Sequence, residues 1–128
     1  SLKVCPVPTE PIPLLIGGHS DAALRRAATK ANGGMHAGGP PEQLEAMLAK
    51  LKAFRADAGK AHEPFEIHAA SPDARSVDGC RRLADMGVTD VIVGFRNPYI
   101  KGEDPQTLDE KVAKLERFAE TVITKVNL

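Results

Sequence analysis

The residues best suited to chemistry are four histidines and the short stretch Gly17-Gly18-His19-Ser20. Leu14–Ile16 is an apolar run too short for a helix; a glycine pair follows, then a helix opened by Ser20 or Asp21, which together read as a strand-turn-helix unit. At such a turn the amides of Gly17, Gly18 and the first helical turn can converge on a phosphate, and the positive end of the helix dipole favours it. The residues leave a second reading open, in which the glycines only make a tight turn. His19 and His36 fall at strand ends, where an imidazole can contact an anion or polarise a carbonyl; as exposed loop histidines they would do neither. His62 lies in a polar loop, and His68 sits opposite the apolar face of its strand, where packing or hydrogen bonding is expected. No two histidines have the i, i+4 spacing of a helical zinc site and no carboxylate accompanies them, so no metal site is expected. Arg96 and Asn97 follow the most β-branched strand; Arg96 can pair with an anionic substrate or cofactor tail, or form a surface ion pair. Ser71 and Asp73 read as cap and turn residues, no G-x-S-x-G elbow is present, and Cys80 reads as an inert core thiol. Gly94 either admits a close approach or relieves crowding. No residue qualifies as catalytic.

The elements that position these residues follow from periodicity. Ser1–Pro13 holds Pro6, Pro8, Pro11 and Pro13 and reads as an extended lead-in, because proline lacks the amide donor that helix and central strand need. The first helix has Leu24, Ala27, Ala28 and Ala31 on one face and stops at Asn32-Gly33-Gly34. Gly34–Ala37 reads as a second strand, and Gly38-Gly39-Pro40-Pro41 as the turn into a helix with the stripe Leu44, Met47, Leu48, Leu51 and Phe54, ended by Gly59. Phe65–Ala70 alternates as a strand with Phe65, Ile67 and Ala69 on one side. A helix from Ser76 to Met86 turns Val77, Cys80, Leu83 and Ala84 inward, with Gly87 as its left-handed cap. Val91-Ile92-Val93 reads as a strand buried on both faces. Thr107 to Glu110 forms a capping box, and Leu108, Val112, Leu115, Ala119, Val122 and Val126 continue one stripe. The order is βαβαβαβα, and right-handed crossovers then place helices outside a parallel sheet. Four such units make either a small open sheet or half of an eight-stranded barrel.

Composition narrows the partners. Lys plus Arg and Asp plus Glu number 17 each, so there is no basic footprint for nucleic acid or an anionic membrane. One Tyr, four Phe and no Trp leave few platforms for stacking single-stranded bases. No apolar run reaches the ~18 residues of a membrane span. Cys5 and Cys80 suggest neither a disulfide framework nor a metal pattern, and a reduced, cytoplasmic setting is expected.

The stretch PIPLLIGGHSDAALRRAATKANGGMHAG resembles the luciferase-like monooxygenase family, the (β/α)8 flavin- and deazaflavin-dependent oxidoreductases. Members carry a P-x-P-[apolar]-I-G-G-x-S strand, an A-L-R-R-A-A helix and then a G-D-G-W-like strand. LADMGVTDVIVGF resembles the family's last strand, entered through a G-V-D-like turn. The resemblance implies an α/β fold, with residues 1–128 as a single domain forming the C-terminal half, units five to eight, of a TIM (β/α)8 barrel. It implies that Gly17, Gly18, His19 and Ser20 hold the phosphate end of FMN or of the deazaflavin coenzyme F420, beside Gly33, Gly34, Met35 and His36. Asn32 and Gly33 replace the family's glycine-aspartate, and Met35 its tryptophan. Arg96 and Asn97 would lie at the substrate rim. The implied function is the C-terminal portion of an FMN- or F420-dependent oxidoreductase, which binds and orients a cofactor that carries the chemistry. The alternative is a non-catalytic phosphate- or nucleotide-binding half-barrel.

A half-barrel would expose one sheet face and two strand edges, which invites association. The expected partners are a second copy, closing the barrel as a homodimer, or the missing N-terminal half.

Overall fold

The computed structural model describes residues 6–94, 96 and 101–126, and in it four strands form a parallel sheet in the order β1-β2-β3-β4. The strands are β1 (Leu15–Gly17), β2 (Gly33–His36), β3 (Glu66–Ala70) and β4 (Asp90–Ile92). Helices α1 (Asp21–Lys30), α2 (Pro41–Asp57) and α3 (Val77–Asp85) connect them, with a 3-10 turn at Pro72–Arg75 ahead of α3. After β4 comes α4 (Leu108–Phe118), which passes through a π-helical turn, Ala119–Ile123, into α5 (Thr124–Val126). Gly17 pairs with Met35, Met35 with His68, and His68 with Asp90, so one row of residues runs across the sheet.

Side-chain chemistry sets where the elements begin. Ser20 Oγ accepts from the Ala23 amide to start α1, Ser76 Oγ from Gly79 to start α3, and Ser71 Oγ from Asp73 at the 3-10 turn. Thr107 and Glu110 form the reciprocal capping box expected at α4. Asn32 Oδ1 accepts from the Leu14 amide at 2.9 Å, and its own amide donates to the Leu14 carbonyl, which clips the proline-rich lead-in to the start of β2. Thr89 does the same for β4: its hydroxyl accepts from the Ile67 amide at 2.8 Å.

The core lies between the sheet and the helices on one side. Leu24, Leu44, Met47, Ala69, Ala74, Leu83 and Val88 make one buried cluster, and Ala27, Ala28 and Leu51 a second, with Phe54 and Ile67 packed against both. Each fully buried Leu here stabilises the fold by about 1.5–3 kcal/mol. The alanines of α1 matter because a side chain that stops at Cβ lets α1 and α2 pack closely. Arg55 is the unexpected core member: its guanidinium donates to the carbonyls of Lys60 and Glu63 at 2.6 and 2.7 Å and lies over the Phe65 ring.

Five expectations need correction. The first strand ends on Gly17 rather than Ile16, and the second begins at Gly33, which pairs within the sheet instead of ending the preceding helix. Ala84 faces solvent. β4 is not buried on both faces: Val91 is 39% and Ile92 41% exposed, because β4 is an edge strand and α4 does not cover it. The α4 stripe is likewise open, with Leu108 75% exposed and Val112 and Leu115 also exposed; only Val122 of that stripe is buried. The sheet is open, and the structure shows no closed barrel. Among the described residues no helix is long and apolar enough to cross a membrane.

Candidate functional site

Two of the four histidines come together at the turn after β1. His19 stacks on His36, with ring centroids 4.8 Å apart and planes 14° from parallel. Alternation places Gly34 and His36 on the helix side of β2, so His36 rises beneath the turn while His19 covers it from outside. His36 is 1% exposed. Its Nδ1 accepts from the Gly38 amide at 3.3 Å, which assigns the neutral-ring proton to Nε2, and Nε2 has no partner. Burial, and secondly the neighbouring His19, hold the His36 pKa below the usual imidazole range; the Ala70 backbone pulls the other way. The ring is therefore neutral and buried.

The turn has a cradle. Gly18 has φ +110°, and a Cβ placed on it would lie 3.0 Å from the Ala23 Cβ, so the backbone runs where only glycine passes without strain. Gly17 is different: a Cβ there would meet only the Met35 carbonyl oxygen, at 4.0 Å. The amides that open α1 face outward, as at any helix N-terminus. Lys50 from α2 reaches the same end and pairs with Asp21 Oδ1 at 2.7 Å, and that hydrogen bond holds the Asp21 carboxyl below its ordinary range. A cleft of about 240 Å³ beside it is lined by His19, Leu24, Gln43, Ala46, Met47 and Lys50. The charge balance is mixed: the helix end, Lys50 and His19 favour an anion, and the Asp21 carboxylate opposes one.

The remaining candidates separate from this group. Gly33 is buried at the start of β2, where a Cβ would come within 2.3 Å of Leu15 Cδ2 and 2.6 Å of the Glu66 carbonyl; close strand packing requires that glycine. Gly34 faces Leu51 and Phe65 in the core. Met35 lies beside Gly17 on the opposite face of the sheet from His36. Arg96 donates to the Gly102 carbonyl at 2.7 Å and pairs with Asp104 at 3.6 Å. Asp104 also accepts from Lys111 and from the Gln106 amide, bonds that lower its carboxyl to about 2 and organise the loop before α4. Asn97 lies outside the described residues, as does Cys5. Cys80 is buried, faces the Ala74 carbonyl, and burial raises its thiol pKa, as an inert core cysteine should behave. Among the described residues, a Cβ at Gly94 would meet the Arg96 carbonyl oxygen at 3.5 Å.

His68 is where the sequence reading missed something. It does hydrogen-bond as expected, but two carboxylates accompany it: its Nε2 lies 3.0 Å from Glu66 Oε2 and 3.4 Å from Asp90 Oδ2. The three ligand atoms lie within 4.8 Å of one another. Glu66 and His68 are two apart on one strand, so their shared face was legible; the register that sets Asp90 opposite His68 was not.

Comparison with known proteins fits this geometry. The pattern of the luciferase-like monooxygenase family matches residues 1–74, the segment that carries β1, the glycine turn, α1, β2 and β3. Uncharacterised proteins of Mycobacterium bovis and of Mycobacterium tuberculosis are 57% identical over 124 residues, covering 97% of this chain and 42% of theirs. The coenzyme F420-dependent tetrahydromethanopterin reductase of Methanopyrus kandleri has a similar fold, with a TM-score of 0.62 at 16% identity, over 88% of this chain and 50% of that one. The chain thus spans less than half the length of the curated relatives it matches.

Proposed function

The chain belongs to the luciferase-like monooxygenase family, and from that premise we propose that it is the C-terminal portion of a flavin- or deazaflavin-dependent oxidoreductase. In this reading its four βα units are half of a (β/α)8 barrel, and the turn Gly17–Ser20 takes the phosphate end of FMN or coenzyme F420. One observation carries the assignment: within the matched segment, the backbone at Gly18 adopts a φ closed to other residues and leads directly into the α1 N-terminus. The buried, unpartnered Nε2 of His36 beneath the same turn supports it, since a native structure rarely leaves such a donor without a use.

Each residue then has a task. The Gly18, His19 and Ser20 amides bind the phosphate oxygens, while Ser20 Oγ stays committed to the Ala23 amide and keeps the helix end in place. His36 supports His19 from below by stacking, which fixes the shape of the turn. Lys50 neutralises Asp21, so that the carboxylate repels an incoming anion less. When bound, the cofactor supplies the hydride or oxygen chemistry, and the chain positions it. The named cofactor of the structural neighbour supports a deazaflavin, and the family name supports a flavin.

FMN and riboflavin differ only in the phosphate, and that difference is the test. In fluorescence titrations of the purified chain, FMN and F420 are expected to bind and riboflavin to bind at least tenfold more weakly, with inorganic phosphate competing. Equal affinities for FMN and riboflavin would refute the phosphate turn. Binding of inorganic phosphate with neither cofactor would favour the non-catalytic alternative.

A further inference from the structure

The sheet has two faces, and among the described residues the helices cover only one. Ile16, Gly34, Ile67 and Ala69 face the helices, so alternation puts Leu15, Gly17, Met35, Glu66, His68, Ala70, Asp90 and Ile92 on the other. That open face is apolar at Leu15, Met35 and Ile92, but its centre holds two half-exposed carboxylates, Glu66 and Asp90, around one imidazole. None of the four strands carries a Lys or Arg.

We infer that this face is the docking surface for a complementary half-barrel that presents a Lys or Arg to Glu66 and Asp90, and not for a second copy of this chain. The inference rests on the half-barrel reading above and names the partner it requires. Covering two carboxylates costs several kcal/mol per ion unless opposite charge comes with the cover. His68 supplies at most one positive charge between them. A second copy would bring two more carboxylates and one more imidazole, so self-closure accumulates buried negative charge. A partner bearing one guanidinium or ammonium balances it. Length agrees: the chain covers 42% of the mycobacterial relatives and half of the structural neighbour, so each carries as much chain again that has no counterpart here.

The test is to co-express the 128-residue chain with the unmatched remainder of the Mycobacterium tuberculosis relative, so that neither half must fold alone, and to weigh the purified product by native mass spectrometry and light scattering. A 1:1 complex is expected, while the chain alone at micromolar concentration stays monomeric. The isosteric pair Glu66→Gln with Asp90→Asn is expected to weaken the complex at least tenfold, and Glu66→Lys with Asp90→Lys to abolish it. Both carboxylates are half exposed in the isolated chain, so circular dichroism and melting of the isolated variants should match wild type. A 1:1 complex indifferent to these substitutions would leave the half-barrel standing and overturn the charge assignment. A complex that forms only with added Mn²⁺ or Zn²⁺, and is lost in EDTA, would overturn it too, by making the cation a metal. No complex, or a stable homodimer that excludes the other half, would overturn both.

Discussion

Replacing Gly18 by alanine, beside the same change at Gly17, isolates the turn that the proposed function depends on. The two glycines are neighbours in sequence and opposite in demand. At Gly18, φ is +110° and the new Cβ would stand 3.0 Å from that of Ala23, a residue buried in α1. Holding a non-glycine residue in such a region costs roughly 1–3 kcal/mol. With an unfolding entropy of about 2.1 cal/mol/K per residue, a 128-residue domain loses about 7 °C in Tm for 2 kcal/mol. At Gly17 the added methyl touches nothing closer than the Met35 carbonyl oxygen at 4.0 Å, and φ is ordinary. Gly17→Ala should be neutral or stabilising by about 0.5 kcal/mol, through the entropy of the unfolded chain. Calorimetry measures the Tm values, and FMN against riboflavin titration measures the turn. The expected pattern is a lower Tm and loss of the FMN preference for Gly18→Ala, with both kept for Gly17→Ala. Equal behaviour of the two variants would refute the reasoning, because it would mean that the backbone at Gly18 is not held at positive φ.

Two further outcomes follow from the same packing. Gly79 lies in α3, where alanine ordinarily stabilises by about 0.5–1 kcal/mol. Here its Cβ would fall 1.9 Å from the Asp73 carbonyl oxygen, so Gly79→Ala is expected to destabilise by about 2 kcal/mol or more in urea denaturation, and a gain would contradict the packing of the 3-10 turn on α3. His36 has a pKa below that of an unfolded histidine, so the unfolded chain binds the extra proton first as pH falls. Stability from this group is therefore full above about pH 6.5 and declines as the solution is acidified below it; His36→Phe should flatten that decline between pH 7 and 5, read as the urea midpoint, and an unchanged slope would assign it elsewhere.

Much of the fold was legible because its signals are local. Ser20, Ser76 and the Thr107–Glu110 pair cap the helices that their spacing announced, and Leu44, Met47 and Leu51 bury the stripe they form. What escaped was set by distant partners. His19 and His36 read as strand-end residues with no contact between them specified, and their stacking depends on β1 and β2 lying side by side. Asp90 read as part of a turn, and its place beside His68 depends on a register fixed by Thr89 and the Ile67 backbone. Arg55 sits in the apolar part of α2, and its burial depends on two loop carbonyls and an aromatic face that helical periodicity cannot show.

The largest disagreement, at β4 and α4, has a single physical origin. Val91 and Ile92 are β-branched in the manner of strands covered on both faces, and Leu108, Val112 and Leu115 repeat as a helix stripe that packs. Both signals describe an environment, and among the described residues that environment is absent: β4 has no neighbouring strand on its outer edge and the stripe faces solvent. Scattered exposed apolar residues need no explanation, but Ile92 shares the open sheet face with Leu15 and Met35. On the half-barrel reading, one complementary body accounts for the open edge and the uncovered face together. Glu66 and Asp90 then add the chemical condition that body must meet, since apolar cover alone would bury their charge without compensation.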